Sequence, residues 1–162
     1  MFKKMMTAIS IGLVTWSIHA FVCNQRPVLL PYLFILYFAI DLKACTPDFR
    51  VHHVLGAAVA TYGILVPDTS MMRPVYGTEL STPLYYALTV CPKHFQAPVR
   101  LAFFATFYVV RIHHYAHALL AWTPFSAPYP FIGVVGFYGL FGLNLYWFFL
   151  MLRKLARTLV RI

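Results

Sequence analysis

At 162 residues, 61% of them hydrophobic, 18% aromatic and only 10% charged, with a mean hydropathy of +0.73, the chain lies far outside the composition of soluble globular domains. Its formal charge of +9 does not describe a nucleic-acid-binding surface, because the basic residues fall between apolar stretches and form no continuous basic face. The composition predicts an all-α, polytopic membrane protein with no nucleic-acid partner.

A bilayer core takes about 20 apolar helical residues, fewer where the ends snorkel. In chain order, six segments meet this: 5–23, 28–42, 51–66, 80–92, 99–122 and 131–152, the second and fourth shorter than ideal. Breakers or charges separate them: Gln25-Arg26-Pro27, then Lys43 to Arg50 with Pro47, Pro67 to Gly77, Pro92-Lys93-His94, and Pro124 to Pro130. A cleaved signal peptide is the alternative for the first segment, since two lysines precede it and it runs to Ile18-His19-Ala20; Ile18 stands where a small residue is wanted. Cleavage would leave five spans of unchanged orientation. No internal repeat or soluble domain is evident.

Charge placement supports the division. With the amino terminus inside, the cytoplasmic segments hold Lys3, Lys4, Lys43, Arg50, Lys93, Arg100, Arg153, Lys154, Arg157 and Arg161, whereas the opposite side holds only Arg26 and Arg73. Both termini are therefore expected in the cytoplasm.

Ionisable groups within apolar spans are costly and mark candidate sites. Asp41 ends the second segment, and His52 and His53 open the third across a short loop, so the three are expected at similar depth. A carboxylate beside an imidazole fixes its tautomer and raises its basicity, which suits a nucleophile or a general base; the alternative is a pair of amphipathic rings at the headgroup level. Arg111 cannot shed its charge and needs a partner, for which Glu79, Asp68 or a carbonyl near Pro74 or Pro83 are candidates on the outer half. Its role is either structural pairing or contact with a lipid phosphate. His113 and His117, with His114 between them, have the i, i+4 spacing of a shared metal. A di-iron centre needs more converging histidines than the seven here, and the depth of this group separates it from His52, so histidines at the outer interface are the favoured reading and no metal is assigned. Cys23, Cys45 and Cys91 lack CxxC spacing and imply neither a zinc ribbon nor a disulfide framework.

The segments FAIDL at 38–42, FRVHHVLG at 49–56, ELSTPLYY at 79–86, FFATFYVVRI at 103–112 and GLNLYWFFLMLRKL at 142–155 resemble, in order and spacing, the TLC-domain family of membrane proteins, which includes the ceramide synthases. ELSTP points to the small TLC-domain-containing branch. The resemblance implies a barrel of about six transmembrane helices around a lipid-sized tunnel, in the endoplasmic reticulum or another endomembrane. The chain then divides into a first helix with its flanks (1–27), a TLC-like domain (28–157) and a short basic tail (158–162). His52 and His53 match the paired histidines that, in ceramide synthases, carry acyl transfer from acyl-CoA to a sphingoid amine; Asp41 and Glu79 match polar positions of the smaller branch. The resemblance implies either a protein of lipid homeostasis that binds a membrane lipid or acyl chain, or an acyltransferase. In the second case one histidine takes the acyl group or deprotonates the acceptor and the other, oriented by Asp41 or Asp48, stabilises charge, with acyl-CoA as co-substrate and no bound cofactor. Glu79, Ser81, Arg111, Asn144 and Trp147 are the expected lipid-binding residues. The chain departs from the ceramide synthases in lacking any HD dipeptide, and between the histidine pair and Glu79 it supplies only Asp68.

Overall fold

The computed structural model describes residues 2–43, 45–66, 69–126 and 128–159, and every regular element among them is helical. The helices are α1 (Phe2–Val22), α2 (Leu29–Asp41), α3 (Pro47–Leu65), α4 (Met72–Thr78), α5 (Thr82–Val90), α6 (Gln96–Phe107), α7 (Tyr115–Ala121) and α8 (Pro130–Leu159). A 3-10 turn, Glu79–Ser81, joins α4 to α5, and a π-helical stretch, Tyr108–His114, joins α6 to α7. Among the described residues these helices fall into six rods along the chain, one over each apolar segment. Among the described residues one helix, over Pro130–Arg157, is long and apolar enough to cross a membrane; Thr7–Val22 and Leu29–Asp41 are shorter apolar helices.

The fourth rod departs from expectation. Pro67 to Gly77 reads as a separator, yet α4 begins at Met72. Pro74 lies in its first turn, where the backbone N–H has no intrahelical partner to lose, so the ring starts the helix instead of breaking it. At the other end of the chain, α8 runs past residue 157 to Leu159, so the expected basic tail starts as helix; residues 160–162 lie outside the described residues.

Local chemistry sets the remaining ends. Asn24 takes a left-handed conformation (φ 52°) after α1, with Gln25 N–H donating to Ala20 O at 2.9 Å and Asn24 N–H to Phe21 O at 3.4 Å, the paired bonds of a Schellman stop. Thr46 is extended ahead of Pro47, and Asp48 places a carboxylate in the first turn of α3, where the helix dipole favours it. The π stretch answers a spacing in the sequence. Phe107, Arg111, Tyr115 and Leu119 are all buried, but steps of four residues drift by roughly 40° each on an α-helix. A wider turn cancels that drift and keeps the four on one face.

The most extensive packing is of α3 against α8 on one side and α2 on the other. The α3–α8 approach depends on Gly136, where a Cβ would stand 2.9 Å from Val59 Cγ2 and 3.1 Å from Val59 N. The close-packed core gathers Val59 and Tyr62 of α3, Met72 and Tyr76 of α4, Tyr115 and Leu119 around α7, and Phe137 and Leu140 of α8. It occupies the half of the bundle formed by the second half of α3 and the first half of α8. The exterior is apolar: Val28, Val90, Leu101, Leu120 and Phe131 are each more than 60% exposed.

Candidate functional site

The half of the bundle away from that core is hollow. A cavity of about 650 Å³ lies between α1, α2, the start of α3, the Glu79–Ser81 turn with α5, α6 and the end of α8, within the usual range for small-molecule sites of about 300–1,000 Å³. Its walls are mostly apolar, from Leu13, Val14, Phe34, Phe38, Phe103, Phe107 and Met151, and two polar groups line it with them.

The first polar group sits where α2 turns into α3. Cys45 N–H donates to Asp41 O at 3.1 Å, so the chain leaves α2 with one further turn and returns at Pro47. This brings Asp41, Cys45 and His53 together. His53 is 4% exposed; its Nε2 lies 3.8 Å from Asp41 Oδ2 and its Nδ1 lies 3.7 Å from Cys45 Sγ. The imidazole stacks on Phe38 with centroids 5.0 Å apart and meets Tyr37 edge-on. Phe38 reaches it by lying across Gly56, where a Cβ would stand 2.7 Å from the ring. His52 packs among Trp147, Phe49 and Phe38, and its Nδ1 is buried with no hydrogen-bond partner among the described residues.

The second group centres on Arg111, which is 8% exposed on the π stretch. Its Nε donates to Ser81 Oγ at 2.8 Å, one terminal nitrogen to Thr82 Oγ1 at 3.1 Å and the other to Asn144 Oδ1 at 3.5 Å. Thr82 Oγ1 in turn donates to Glu79 Oε2 at 2.7 Å, and Ser81 Oγ donates to Thr78 O. The guanidinium lies 5.4 Å over the Phe107 ring. A guanidinium has more N–H donors than these three contacts use, so Arg111 can still offer a donor to an anionic or carbonyl group in the cavity.

Several sequence-based expectations change. Arg111 forms no direct ion pair with Glu79 among the described residues; Thr82 relays between them, and Asp68 lies outside the described residues. Asp41, not Asp48, stands beside the histidines: Asp48 is exposed and outside the cavity. Asn144 is buried behind Arg111 and does not line the cavity, whereas Glu79, Ser81, Arg111 and Trp147 do. Expected at different depths, the histidine pair and Arg111 share one cavity. His113 and His117 are exposed, with rings 4.7 Å apart, and remain outside it.

Cys45 is the residue that sequence reasoning missed. A signal was available, because it lies in the short loop already expected to bring Asp41 level with His53. Ligand atoms of Asp41, Cys45 and His53 lie within 4.8 Å of one another, the sulfur beside Nδ1 and the carboxylate beside Nε2. A metal takes a single imidazole nitrogen with its other donors on that same side, and because the carboxylate oxygen and the sulfur are this close to each other and to one ring nitrogen, the three groups cluster on one side of the imidazole as a candidate ligand set and form no relay through the ring. Chemically, it gathers a thiol, an imidazole and a carboxylate at the edge of an apolar chamber that a fixed positive charge, Arg111, also lines. No family model, curated protein or solved structure matches the chain.

Proposed function

We propose that the chain is a six-span membrane protein of TLC-domain type that takes a membrane lipid or acyl chain into its cavity, as a component of lipid homeostasis. The observation that carries this reading is the cavity itself: an apolar-walled hollow lined by Arg111, His52 and His53, inside a bundle whose outer surface is also apolar. In water that exterior would cost about 25 cal/mol for each Å² of apolar surface, whereas in a bilayer it is the favoured face and helices satisfy their own backbone groups. At about 1.5 Å per residue, α1, α3 and α8, with 21, 19 and 30 residues, approach or exceed the bilayer core. The basic residues, concentrated on the loops assigned to the inside, orient the bundle with both ends cytoplasmic.

In this reading the chain of the guest lies along the aromatic and aliphatic wall, and its carbonyl or phosphate oxygen accepts from Arg111. Glu79 acts at one remove, holding Thr82 so that the guanidinium stays aimed at the cavity. Acyl transfer through His52 and His53 is the second reading, favoured by the Asp41 carboxylate at 3.8 Å from His53 Nε2. Native mass spectrometry of protein released from a mild detergent tests the first reading. The expected result is one lipid retained per chain, lost when Val14→Trp fills the cavity. A chain that flies empty, or that keeps its lipid in the Val14→Trp variant, contradicts it.

A further inference from the structure

Asp41 and Cys45 lie four positions apart, and because Cys45 N–H donates to Asp41 O at 3.1 Å, a helical turn continues past α2 and sets both side chains on one face. The neighbouring α3 brings His53 to that face, its ring held by Phe38 and Tyr37. One ligand atom from each of the three residues lies within 4.8 Å of the other two, and all three residues line the cavity.

Their spacing is too wide for hydrogen bonding and close to that of a shared ion. His53 Nε2 stands 3.8 Å from Asp41 Oδ2, beyond the roughly 2.7–3.2 Å of an N–H···O bond. Cys45 Sγ reaches Leu42 O only at 3.5 Å and His53 Nδ1 at 3.7 Å. Buried polar groups are normally partnered, yet here an imidazole and a carboxylate converge and stop short of each other. Bonds of about 2.0–2.3 Å from one tetrahedral zinc ion put oxygen, nitrogen and sulfur donors about 3.4–3.6 Å apart. Closing the group onto an ion therefore shortens its widest separation by no more than about 1.4 Å. Asp41 and Cys45 are both half-buried, so an ion can reach them.

The donor set selects the metal. Magnesium and calcium take oxygen ligands, whereas thiolate, imidazole and carboxylate together suit zinc. Two other places in the chain fall short of this set. Cys23 Sγ lies 3.6 Å from His19 Nε2, and the rings of His113 and His117 lie 4.7 Å apart, but both pairs are exposed and neither has a third ligand within reach among the described residues.

We infer that Asp41, Cys45 and His53 form a zinc site at the edge of the cavity, with a fourth position left to water or to an oxygen of whatever occupies the hollow. As the zinc–sulfur bond forms, the Cys45 proton leaves Leu42 O for solvent. Zinc binding here does not require that the cavity hold a lipid.

The test uses the full chain in detergent, stripped with a chelator, loaded with zinc or cobalt(II), desalted, and read by elemental analysis, absorption spectroscopy and thermal unfolding. One zinc per chain is expected, with a higher Tm than the stripped chain, and a thiolate-to-cobalt charge-transfer band in the cobalt form. Cys45→Ser and Asp41→Asn keep the size of each side chain, and their unfolding without zinc is expected to match that of the stripped parent. Both are expected to weaken zinc by more than the roughly 10- to 100-fold that loss of an outer-shell partner costs, and Cys45→Ser to remove the band. Cys23→Ala, and His113→Gln with His117→Gln, are expected to keep the zinc. A folded chain that binds no zinc, zinc undiminished in Cys45→Ser, a cobalt spectrum without the thiolate band, or zinc lost with Cys23→Ala each overturns the site. Native mass spectrometry of the same preparations separates this site from the lipid reading: lipid on a chain that binds no zinc removes the zinc site alone, zinc without lipid removes the lipid reading alone, and neither removes both.

Discussion

The two halves of this bundle are built on the same pair of helices and behave oppositely. Where the second half of α3 meets the first half of α8, Tyr62, Trp122 and Phe137 close edge-to-face with centroids 4.9–5.9 Å apart, and Gly133 leaves Tyr62 and Trp122 the room to do so. Where the first half of α3 meets the second half of α8, His52, Trp147 and Phe49 pack on one another and line the cavity, and the bundle stays open. The difference is one of side chains and not of helix geometry. Rings facing a small residue interdigitate in one half, while in the other a buried arginine held by Ser81, Thr82 and Asn144 lines the hollow. The solid half supports the fold so that the hollow half can carry costly polar groups.

The comparison breaks most severely at the solid half. Phe137→Ala is expected to destabilise the protein by about 3–5 kcal/mol, measured by unfolding in detergent, without changing lipid content per folded chain. Arg111→Ala follows: loss of its hydrogen bonds to Ser81, Thr82 and Asn144 is expected to lower stability by about 3 kcal/mol and to release the lipid as well, so that it alone moves both readouts. Phe103→Leu, at the wall of an existing cavity, is expected to cost under about 1.5 kcal/mol while changing which acyl chains are retained. The smallest effect is at the exposed pair: His113→Gln with His117→Gln is expected to stay within about 0.5 kcal/mol, with no change in lipid or in metal content by elemental analysis. If that double variant lost bound metal, the histidines outside the cavity would have a role that their exposure does not suggest.

The sequence pattern made the six rods legible, because apolar runs and charge asymmetry report burial along the whole chain. It misjudged the fourth rod, since Pro74 has one meaning inside a helix and another in its first turn. The π stretch was visible only as buried positions spaced by four, a signal that needs the burial pattern before it can be read. Asp41, His52 and His53 could be grouped because one short loop joins them. Cys45, in that same loop, carried no spacing motif and became a partner only when the chain turned back on itself. Arg111 could be recognised as costly but not matched to its partners: Ser81, Thr82 and Asn144 lie 29 to 33 positions away and approach it only when the fourth, fifth and sixth rods pack together.

Photocrosslinking with a diazirine-bearing fatty acid, mapped by peptide sequencing, tests the central claim most directly. A hollow that accepts an acyl chain predicts crosslinks on Leu13, Phe38 and Phe103, competed by unlabelled lipid and removed by Val14→Trp. Crosslinks confined to outward residues such as Leu120 and Phe131, unchanged by competitor or by Val14→Trp, would contradict it.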